Sequence, residues 1–434
     1  MISSDTYCCC ACVGDPFLKA QIVAEGEIAE CAQCHETREA VTEFALGQWI
    51  EAVLQAHFHP GAGDSLEAIV EEIAGLSPEL AEEIASSLAS LAGYIASGGP
   101  TFYDSDEYSL ARNTGGESEW RWQRFTETVR AEARYFNRTA EAWLDHIFGP
   151  LGDDRTWHGK EVFKVMAPGE PGAGFYRARH VSSVAKAWEI LGCPSVLLGP
   201  LPMGQGAAGR MNAAGVSVFY GALDVDTCVG EIRPPVGSIV LSARFDLVRP
   251  VRLLDFDLLE EIEARCSHFD PDYDQKQERA AFLRAFGRRI AQPVMPDDEA
   301  FGYLPTQIVA DYLAQRLDPA IDGMLYRSTQ TGGKGRNVVL FNRTSRVERH
   351  DVAHPAQPLR DFPPGPLDAL LDDAPAPIPR EWPPLDGNDN RDVTLRIAMD
   401  SVQVSDIRAT TYEEIRRSAE MWQLDLEERD RGFD

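Results

Sequence analysis

The spacing of apolar residues divides the chain into a helical first third and a mixed middle part. From Arg38 to about Phe148, apolar residues recur at i, i+3 and i+4, as in REAVTEFALGQWIEAVLQAHF and SLEAIVEEIAGL. This is the period of amphipathic helices, so residues 38–150 are predicted to form a helical bundle. Its core is expected to include an apolar stripe formed by Trp122, Phe125, Val129, Tyr135, Phe136, Trp143 and Ile147.

After Gly149 and Pro150 the pattern changes to short strands separated by helices. The strand-like runs, rich in β-branched and aromatic residues, are FYRAR, VSVFY, GSIVLSARFDL, VRLLDF, MLYRS and NVVLF. The helical runs between them are VSSVAKAWEIL, DQKQERAAFLRAFGRRIA and LPTQIVADYLAQRL. Alternation of this kind predicts an α+β or α/β unit, which we place at residues 155–345.

The last part of the chain, residues 346–434, includes a proline-rich acidic stretch at 352–392 with the runs PAQPLRDFPPGP and DDAPAPIPREWPPLDG. These prolines prevent a regular helix or a central strand, so an extended surface arm is expected. A strand, VTLRIAMDSVQV, and a charged helix, TYEEIRRSAEMWQLDLEE, are predicted to follow.

Length and charge narrow the classes of function. A chain of 434 residues exceeds what one hydrophobic core usually supports, which fits several units. The net charge of -28 repels phosphate backbones and disfavours a nucleic-acid partner, although a few arginines in a cleft can still attract a small anion. Because the start does not resemble a secretory signal and no run of about 18 apolar residues occurs, a cytoplasmic location without a membrane partner is expected.

Six of the nine cysteines lie in the first 34 residues, and four of them form two Cys-x2-Cys knuckles. The knuckle residues are Cys9, Cys12, Cys31 and Cys34. Since each knuckle brings two sulfurs to one side of a tetrahedral ion, residues 1–37 are predicted to form a zinc ribbon around a structural zinc. Cys8 and Cys10 are alternatives to Cys9, and His35 can replace one thiolate. Four protein ligands leave no open position, so no catalytic metal is expected.

Polar residues interrupt the predicted strands in several separated segments. These are YRAR at 176–179, GRMNAAG at 209–215 followed by Tyr220 and Glu231, YLPTQ at 303–307, YRS at 326–328 and GRNVVLF at 335–341. Their order resembles that of the RES domain, a family named after an Arg, a Glu and a Ser. The resemblance covers about residues 155–345 and implies an α+β fold similar to ADP-ribosyltransferases.

What the resemblance implies about function is the degradation of NAD, by phosphorolysis to nicotinamide and ADP-ribose-1″-phosphate or by hydrolysis. The implied catalytic residues are Arg177, Tyr220, Glu231 and Ser328. The implied NAD-binding residues are Arg177, Arg210, Asn212, Tyr220 and Ser328. Without the resemblance, Arg177 and Glu231 would be interpreted as an ion pair, Tyr220 as a core aromatic and Ser328 as a turn residue.

These residue types suit the chemistry. Loss of nicotinamide builds positive charge on the ribose, and the Glu231 carboxylate can stabilise that charge in a preorganised site. Arg177, and with it Arg210, can hold a pyrophosphate through the planar guanidinium fork. Tyr220 offers an aromatic face or a hydroxyl, and Ser328 a hydroxyl for the ribose or an attacking phosphate. The glycine-containing loop at 329–335 can approach phosphates through its N–H groups or form an ordinary turn.

The helical bundle resembles the HEPN superfamily, in which some members cleave RNA with an Arg and a His four to six residues apart. Arg138 and His146 have seven residues between them, outside that pattern. The HEPN-like part at residues 38–150 is therefore interpreted as a scaffold or regulatory module.

Three classes of function remain open. The first is an NAD phosphorylase or glycohydrolase acting as a toxin or phage-defence effector; the second is an ADP-ribosyltransferase with a protein or other acceptor; the third is a non-catalytic zinc-ribbon binding module. RES toxins are typically neutralised by a helix-turn-helix antitoxin, so an antitoxin or regulatory protein is an expected partner beside NAD and inorganic phosphate. The sequence leaves open whether the protein is a homo-oligomer.

Overall fold

A computed structural model describes residues 6–95, 102–111, 116–291, 299–349 and 389–409. Most of the predicted proline-rich arm and the predicted C-terminal charged helix lie outside the described residues. Within the described part, no helix is both long enough and apolar enough to cross a membrane.

The N-terminal third combines helices with two small antiparallel sheets, of order β1-β3-β2 and β4-β5. Its elements are β1 (Tyr7–Cys9), α1 (Pro16–Glu25), β2 (Glu27–Glu30), β3 (Thr37–Thr42), α2 (Glu43–His57), β4 (Phe58–Asp64), α3 (Leu66–Ala74), α4 (Pro78–Ile95), β5 (Tyr108–Leu110), α5 (Gly116–Glu127) and α6 (Arg138–Phe148). The purely helical prediction for residues 38–150 is therefore wrong at β3, β4 and β5. The short β3 run pairs with β1 and β2, so strand pairing decides its conformation.

The helices begin where side chains cap them. Thr42 accepts a hydrogen bond from the Ala45 N–H and begins α2, and Ser65 accepts one from the Ala68 N–H and begins α3. Such caps satisfy N–H groups that have no partner within the helix. They explain why α2 starts directly after β3.

The second part of the chain is built around one large sheet. Its elements are β6 (Arg155–Thr156), β7 (Phe163–Met166), β8 (Gly174–Val181), α7 (Val184–Gly192), α8 (Pro194–Leu197), β9 (Phe219–Ala222), α9 (Val225–Ile232), β10 (Ile239–Leu247), β11 (Val251–Asp255), α10 (Phe256–Leu259), β12 (Ile262–Glu263), α11 (Tyr273–Ala291), α12 (Glu299–Gly302), α13 (Leu304–Arg316), β13 (Gly323–Arg327), β14 (Arg336–Leu340), β15 (Leu395–Ile397) and β16 (Gln403–Asp406). The nine-stranded sheet has the order β15-β10-β8-β9-β14-β13-β11-β7, with β16 also paired to β10. This mixed architecture agrees with the predicted α+β class.

Two pairings in this sheet matter for the site. β11 and β13 run parallel, whereas the other pairs within the sheet are antiparallel. β8 pairs with β9 at a single position, Tyr176 with Ala222, although β8 pairs with β10 along its whole length. The sheet therefore loosens between β8 and β9.

Both faces of the sheet are buried. One face contributes Tyr220, Met324 and Val339 to a core shared with α6, α11 and α13. The opposite face contributes Phe219, Leu325 and Val338 to a core shared with α7. Alternation along each strand produces this division, because successive side chains point to opposite faces.

The predicted apolar stripe is confirmed for most of its members, which pack in the sheet core beside α11. It is wrong for Tyr135 and Phe136, whose relative exposures are 81% and 102%. A π-helical turn at Thr128–Glu132 ends the helix before them, and Phe136 has a positive φ of 56°. The helical period is lost there, so these two rings leave the buried face.

The N-terminal helices and the sheet also meet at a histidine cluster. The ring of His57, at the end of α2, lies 4.3 Å from that of Tyr273 on α11. The ring of His268 stacks on Tyr273 at 4.8 Å between centroids. The domain boundaries drawn from the sequence at residues 37, 150 and 345 remain predictions.

Candidate active site

The candidate site forms where α9 ends beside the carboxyl end of β13. Asp224 caps α9, accepting hydrogen bonds from Thr227 N at 2.7 Å and Thr227 Oγ1 at 2.8 Å. In the last turn of this helix, Glu231 lies against Ser328, the residue that follows β13. Two sequence segments about a hundred residues apart are thus brought into contact.

The carboxylate of Glu231 is held by two buried donors. Ser328 Oγ donates a short hydrogen bond to Glu231 Oε1, and Asn337 Nδ2 donates to the same oxygen at 2.8 Å. Ser328 and Asn337 are 0% and 4% exposed, whereas Glu231 is exposed. Glu231 Oε2 accepts no hydrogen bond from the described residues. The result is a carboxylate with one anchored oxygen and one available oxygen.

A cavity of about 320 Å³ adjoins this carboxylate. Its lining residues are Arg210, Tyr220, Glu231, Arg233, Tyr303, Tyr326, Arg327, Thr329, Gln330 and Asn337. Three arginines thus surround one glutamate, in a chain whose overall charge is strongly negative. A concave site with a few convergent polar groups is typical of small-molecule binding.

The three arginines are held differently. The Arg210 guanidinium lies 5.3 Å from the centre of the Tyr303 ring and donates to the Ile290 carbonyl. Arg327 Nε donates to Asp257 Oδ1 at 2.8 Å. Arg233, exposed and with a φ of 46°, forms no hydrogen bond or ion pair with the described residues. The cavity therefore has one arginine available for an anion without breaking an existing bond.

Tyr220 lines the cavity, but its hydroxyl is used inside the protein. It donates to Asn212 Oδ1 at 2.9 Å and accepts from the Met211 N–H at 2.9 Å. Burial raises the pKa of Tyr220, so the phenol stays protonated at neutral pH. Asn212 is buried and donates to the carbonyls of the loop around it at 2.9, 3.1 and 2.9 Å. These contacts fix the loop that carries Arg210.

The YLPTQ segment has a related task. Thr306 Oγ1 donates to the Arg210 carbonyl at 2.7 Å, and Gln307 Nε2 donates to the Gly209 carbonyl at 2.8 Å. The start of α13 thus holds the backbone of the loop at 209–215. Asn212 does not line the cavity, so the structure gives it a supporting position behind Tyr220.

Arg177 lies outside the cavity lining. Its Nη1 donates to the Tyr220 carbonyl at 3.0 Å, and its guanidinium lies 5.4 Å from the centre of the Phe219 ring. Burial, together with the charge of Arg179, lowers the pKa of Arg177 to about 10. Because β8 and β9 are paired at one position only, this side chain provides the donor that a β8 backbone N–H would otherwise supply. In this arrangement Arg177 supports β9 from behind the site.

The loop after Ser328 folds on itself. The Gly333 N–H donates to the Ser328 carbonyl at 2.9 Å, and Gly332 and Gly333 have φ values of 62° and 80°. These conformations favour glycine. A Cβ on Gly335 would lie 1.8 Å from Thr227 Oγ1, so this position lets the loop reach the start of α9. The loop thereby fixes the distance between α9 and β13.

Three lining residues were not predicted from the sequence: Asn337, Tyr326 and Arg233. Asn337 is a polar residue within the apolar run of β14, which is a signal that could have identified it. Tyr326 was quoted only as part of the YRS segment. Arg233 carries no pattern of its own, because its position depends on the left-handed conformation that ends α9.

Away from this site, the four predicted knuckle cysteines come together. The sulfurs of Cys9, Cys12, Cys31 and Cys34 all lie within 4.8 Å of one another. The Cys9 N–H also points to the Cys31 sulfur at 3.3 Å, as expected for a sulfur that carries negative charge. Cys8 faces the hydrophobic core, and Cys10 and His35 are outside the group. The arrangement has the donor set of a tetrahedral metal site and confirms the choice of Cys9.

Comparison with known proteins adds one family. No curated protein and no solved structure matched the chain. Residues 186–363 match the model of the RES domain family. The matched region begins after Arg177 and includes Arg210, Tyr220, Glu231 and Ser328. Both the sequence motifs and the family model therefore lead to the same result: the chain carries a RES domain.

Proposed function

We propose that the protein degrades NAD by cleaving the bond between nicotinamide and ribose. The observation that supports this most directly is the half-anchored Glu231 carboxylate, held by Ser328 and Asn337 beside a cavity with three arginines. An anion next to a positively charged cavity suits a substrate with a pyrophosphate and a ribose that becomes cationic.

The proposed mechanism begins with departure of nicotinamide. As the C1″–N bond lengthens, positive charge develops on the ribose. Glu231 Oε2 faces this charge, while Ser328 and Asn337 keep Oε1 from rotating. Because the carboxylate is oriented before the reaction, little reorganisation is needed in the transition state. Water or inorganic phosphate then attacks C1″ and completes hydrolysis or phosphorolysis.

The arginines have a separate role in this proposal. Arg233 and Arg210 would pair with the pyrophosphate through their guanidinium groups. Tyr220 would contribute an aromatic wall, since its hydroxyl is engaged with Asn212. Consumption of NAD would arrest growth, which is the proposed biological role as a toxin or defence effector, with an antitoxin or regulatory protein as partner.

We propose a structural zinc at the four cysteines. Cysteine thiolates in this number and spacing are typical of closed structural zinc sites. Zinc would hold the two turns of the β1-β3-β2 sheet together, and it would take no part in cleavage.

The test is incubation of the full-length protein with NAD, with and without inorganic phosphate, followed by chromatography of nicotinamide and the ribosyl product. Glu231→Gln should abolish nicotinamide release, because it removes the charge and keeps the shape. Glu189→Gln, an exposed glutamate on α7, is the matched control and should behave as wild type. Release that requires phosphate indicates a phosphorylase, and release without phosphate a glycohydrolase. Absence of release from the wild type, or equal release by Glu231→Gln, would contradict the proposal.

A further inference from the structure

A second cavity, of about 390 Å³, adjoins the one at Glu231. Its lining residues are Phe256, Asp257, Glu260, Gly287, Arg288, Tyr326, Arg327, Ser328, Thr329, Gly332 and Gly333. Tyr326, Arg327 and Thr329 line both cavities. The two spaces therefore meet at the carboxyl end of β13, on either side of the residue that precedes Ser328.

The first cavity is small for a whole dinucleotide. Its volume of about 320 Å³ lies at the lower end of ligand pockets, which span roughly 300–1,000 Å³. NAD consists of two nucleoside halves joined by a pyrophosphate. One half fits the space at Glu231, and the other half needs a second space at the distance of the linker.

The junction between the cavities suits that linker. Arg327 lies in both linings and is about half exposed, with a side-chain exposure of 54%. It donates to Asp257, which also pairs with Arg336 at 3.5 Å. Arg336 and Arg327 therefore share one carboxylate, and the pair keeps net positive charge at the junction. A bridging pyrophosphate is favoured there.

The second cavity has the groups that an adenosine requires. The Phe256 ring stands 6.2 Å from that of Tyr326 and forms an aromatic wall for a base. Glu260 is half-buried and accepts no hydrogen bond from the described residues. A carboxylate in this position can accept hydrogen bonds from ribose hydroxyls, as acidic residues do in other NAD sites.

We infer that the second cavity binds the adenosine half of NAD, with Glu260 accepting from the adenosine ribose. This rests on the proposed function, because the Glu231 cavity must hold the nicotinamide half. It also makes Glu260 a specificity-determining residue. A carboxylate repels the 2′-phosphate of NADP, although the nearby Arg288 weakens that repulsion, so NAD is the preferred substrate.

The cavity can be filled at Gly287. A Cβ at this position would lie 3.3 Å from Phe256 Cβ, so a leucine side chain occupies the space beside the aromatic wall. Gly287→Leu is therefore the main variant. Gly152→Leu is the matched control, because no atom lies within 4 Å of a Cβ there and Gly152 lines neither cavity. Glu260→Gln is the second variant, since it preserves shape and tests the inference even if Gly287→Leu folds poorly.

Binding is measured by titration calorimetry with ADP-ribose and, separately, nicotinamide mononucleotide. All full-length variants carry Glu231→Gln so that neither ligand is consumed. Gly287→Leu should weaken ADP-ribose binding by at least about tenfold and leave nicotinamide mononucleotide within about twofold. Glu260→Gln should weaken ADP-ribose binding about tenfold, the loss expected for one hydrogen bond to a charged group. Gly152→Leu should change neither affinity.

The outcomes separate this inference from the proposed function. If ADP-ribose binding does not respond to either variant, or if both ligands are weakened equally, the second cavity is not the adenosine site. Nicotinamide release by the wild type in the NAD assay would then still support the proposed function. If the wild type releases no nicotinamide, the proposed function itself fails. As a further check, Glu260→Gln in an otherwise wild-type chain should turn over NADP more nearly as well as NAD.

Discussion

Replacing Asn337 by aspartate tests whether the anchoring of Glu231 matters for catalysis. Asn337 Nδ2 donates to Glu231 Oε1 at 2.8 Å, and the side chain is 4% exposed. Asn337→Asp keeps the shape and replaces the amide donor with a carboxyl group. The hydrogen bond to Glu231 then survives only while a proton is shared between the two acids.

The expected size of the effect follows from the lost bond. A hydrogen bond to a charged group contributes about 1.5–3 kcal/mol. Because Glu231 is exposed on its cavity side, solvent screening favours the lower end of this range. At about 1.36 kcal/mol per tenfold change in rate, kcat/KM should fall at least roughly tenfold when the shared proton is lost.

The pH dependence gives the substitution its diagnostic value. Two carboxylates that share a site repel each other, which raises the pKa of the introduced acid above the usual range for aspartate. Activity of Asn337→Asp should therefore be highest at acid pH and fall as pH rises through that raised pKa. Asparagine does not titrate, so the wild type should not show this loss.

The assay is kcat/KM for nicotinamide release from pH 4.5 to 8.5. Asn342→Asp is the control, because Asn342 Nδ2 donates at 2.9 Å to the Ser217 carbonyl and does not contact Glu231. Melting temperatures across the same pH range identify effects on folding. A pH profile of Asn337→Asp that follows the wild type, or activity that is low to the same extent at every pH, would refute the reasoning.

Three further predictions concern other parts of the molecule. Arg177→Lys should lower the melting temperature by removing the bond to the Tyr220 carbonyl, and should raise the KM for NAD less than threefold; a rise above about tenfold in steady-state assays would instead favour a direct phosphate clamp. Zinc analysis should find one ion per chain and less in Cys12→Ser, with a lower melting temperature, because metal binding contributes to folding; equal zinc in both would contradict the four-cysteine site. Burial and a neighbouring histidine lower the pKa of His268, so the unfolded chain binds a proton more readily and stability should fall as pH drops below about 6.5. His268→Phe, which keeps a ring beside Tyr273, should reduce the difference in melting temperature between pH 7.5 and 5.5, and an unchanged difference would argue against this source.

Much of the fold and the site could be predicted because the signals are local. The strands FYRAR, MLYRS and NVVLF follow from composition and alternation, which depend on neighbouring residues only. The zinc knuckles follow from a spacing of two residues within each pair, since a short turn allows little else. The RES segments could be ordered along the chain without knowledge of their positions in space.

Errors arose where a local pattern competed with longer-range packing. The helical period continues on paper through Tyr135 and Phe136, but the π-helical turn before them ends the helix and exposes both rings. The residues of β3 have helical spacing, yet they pair with β1 and β2. In both cases the tertiary structure overrides a weak local preference.

From sequence, then, come the α+β class, the RES assignment, the four cysteines and the identities of Glu231 and Ser328, since each is written in residue type and spacing. The tertiary structure alone decides that Asn337 shares Glu231 with Ser328, and that Arg177 supports β9 behind the cavity. Contacts of this kind join residues about a hundred positions apart through strand order and register. No local pattern encodes that order, because it is chosen by the packing of the whole sheet.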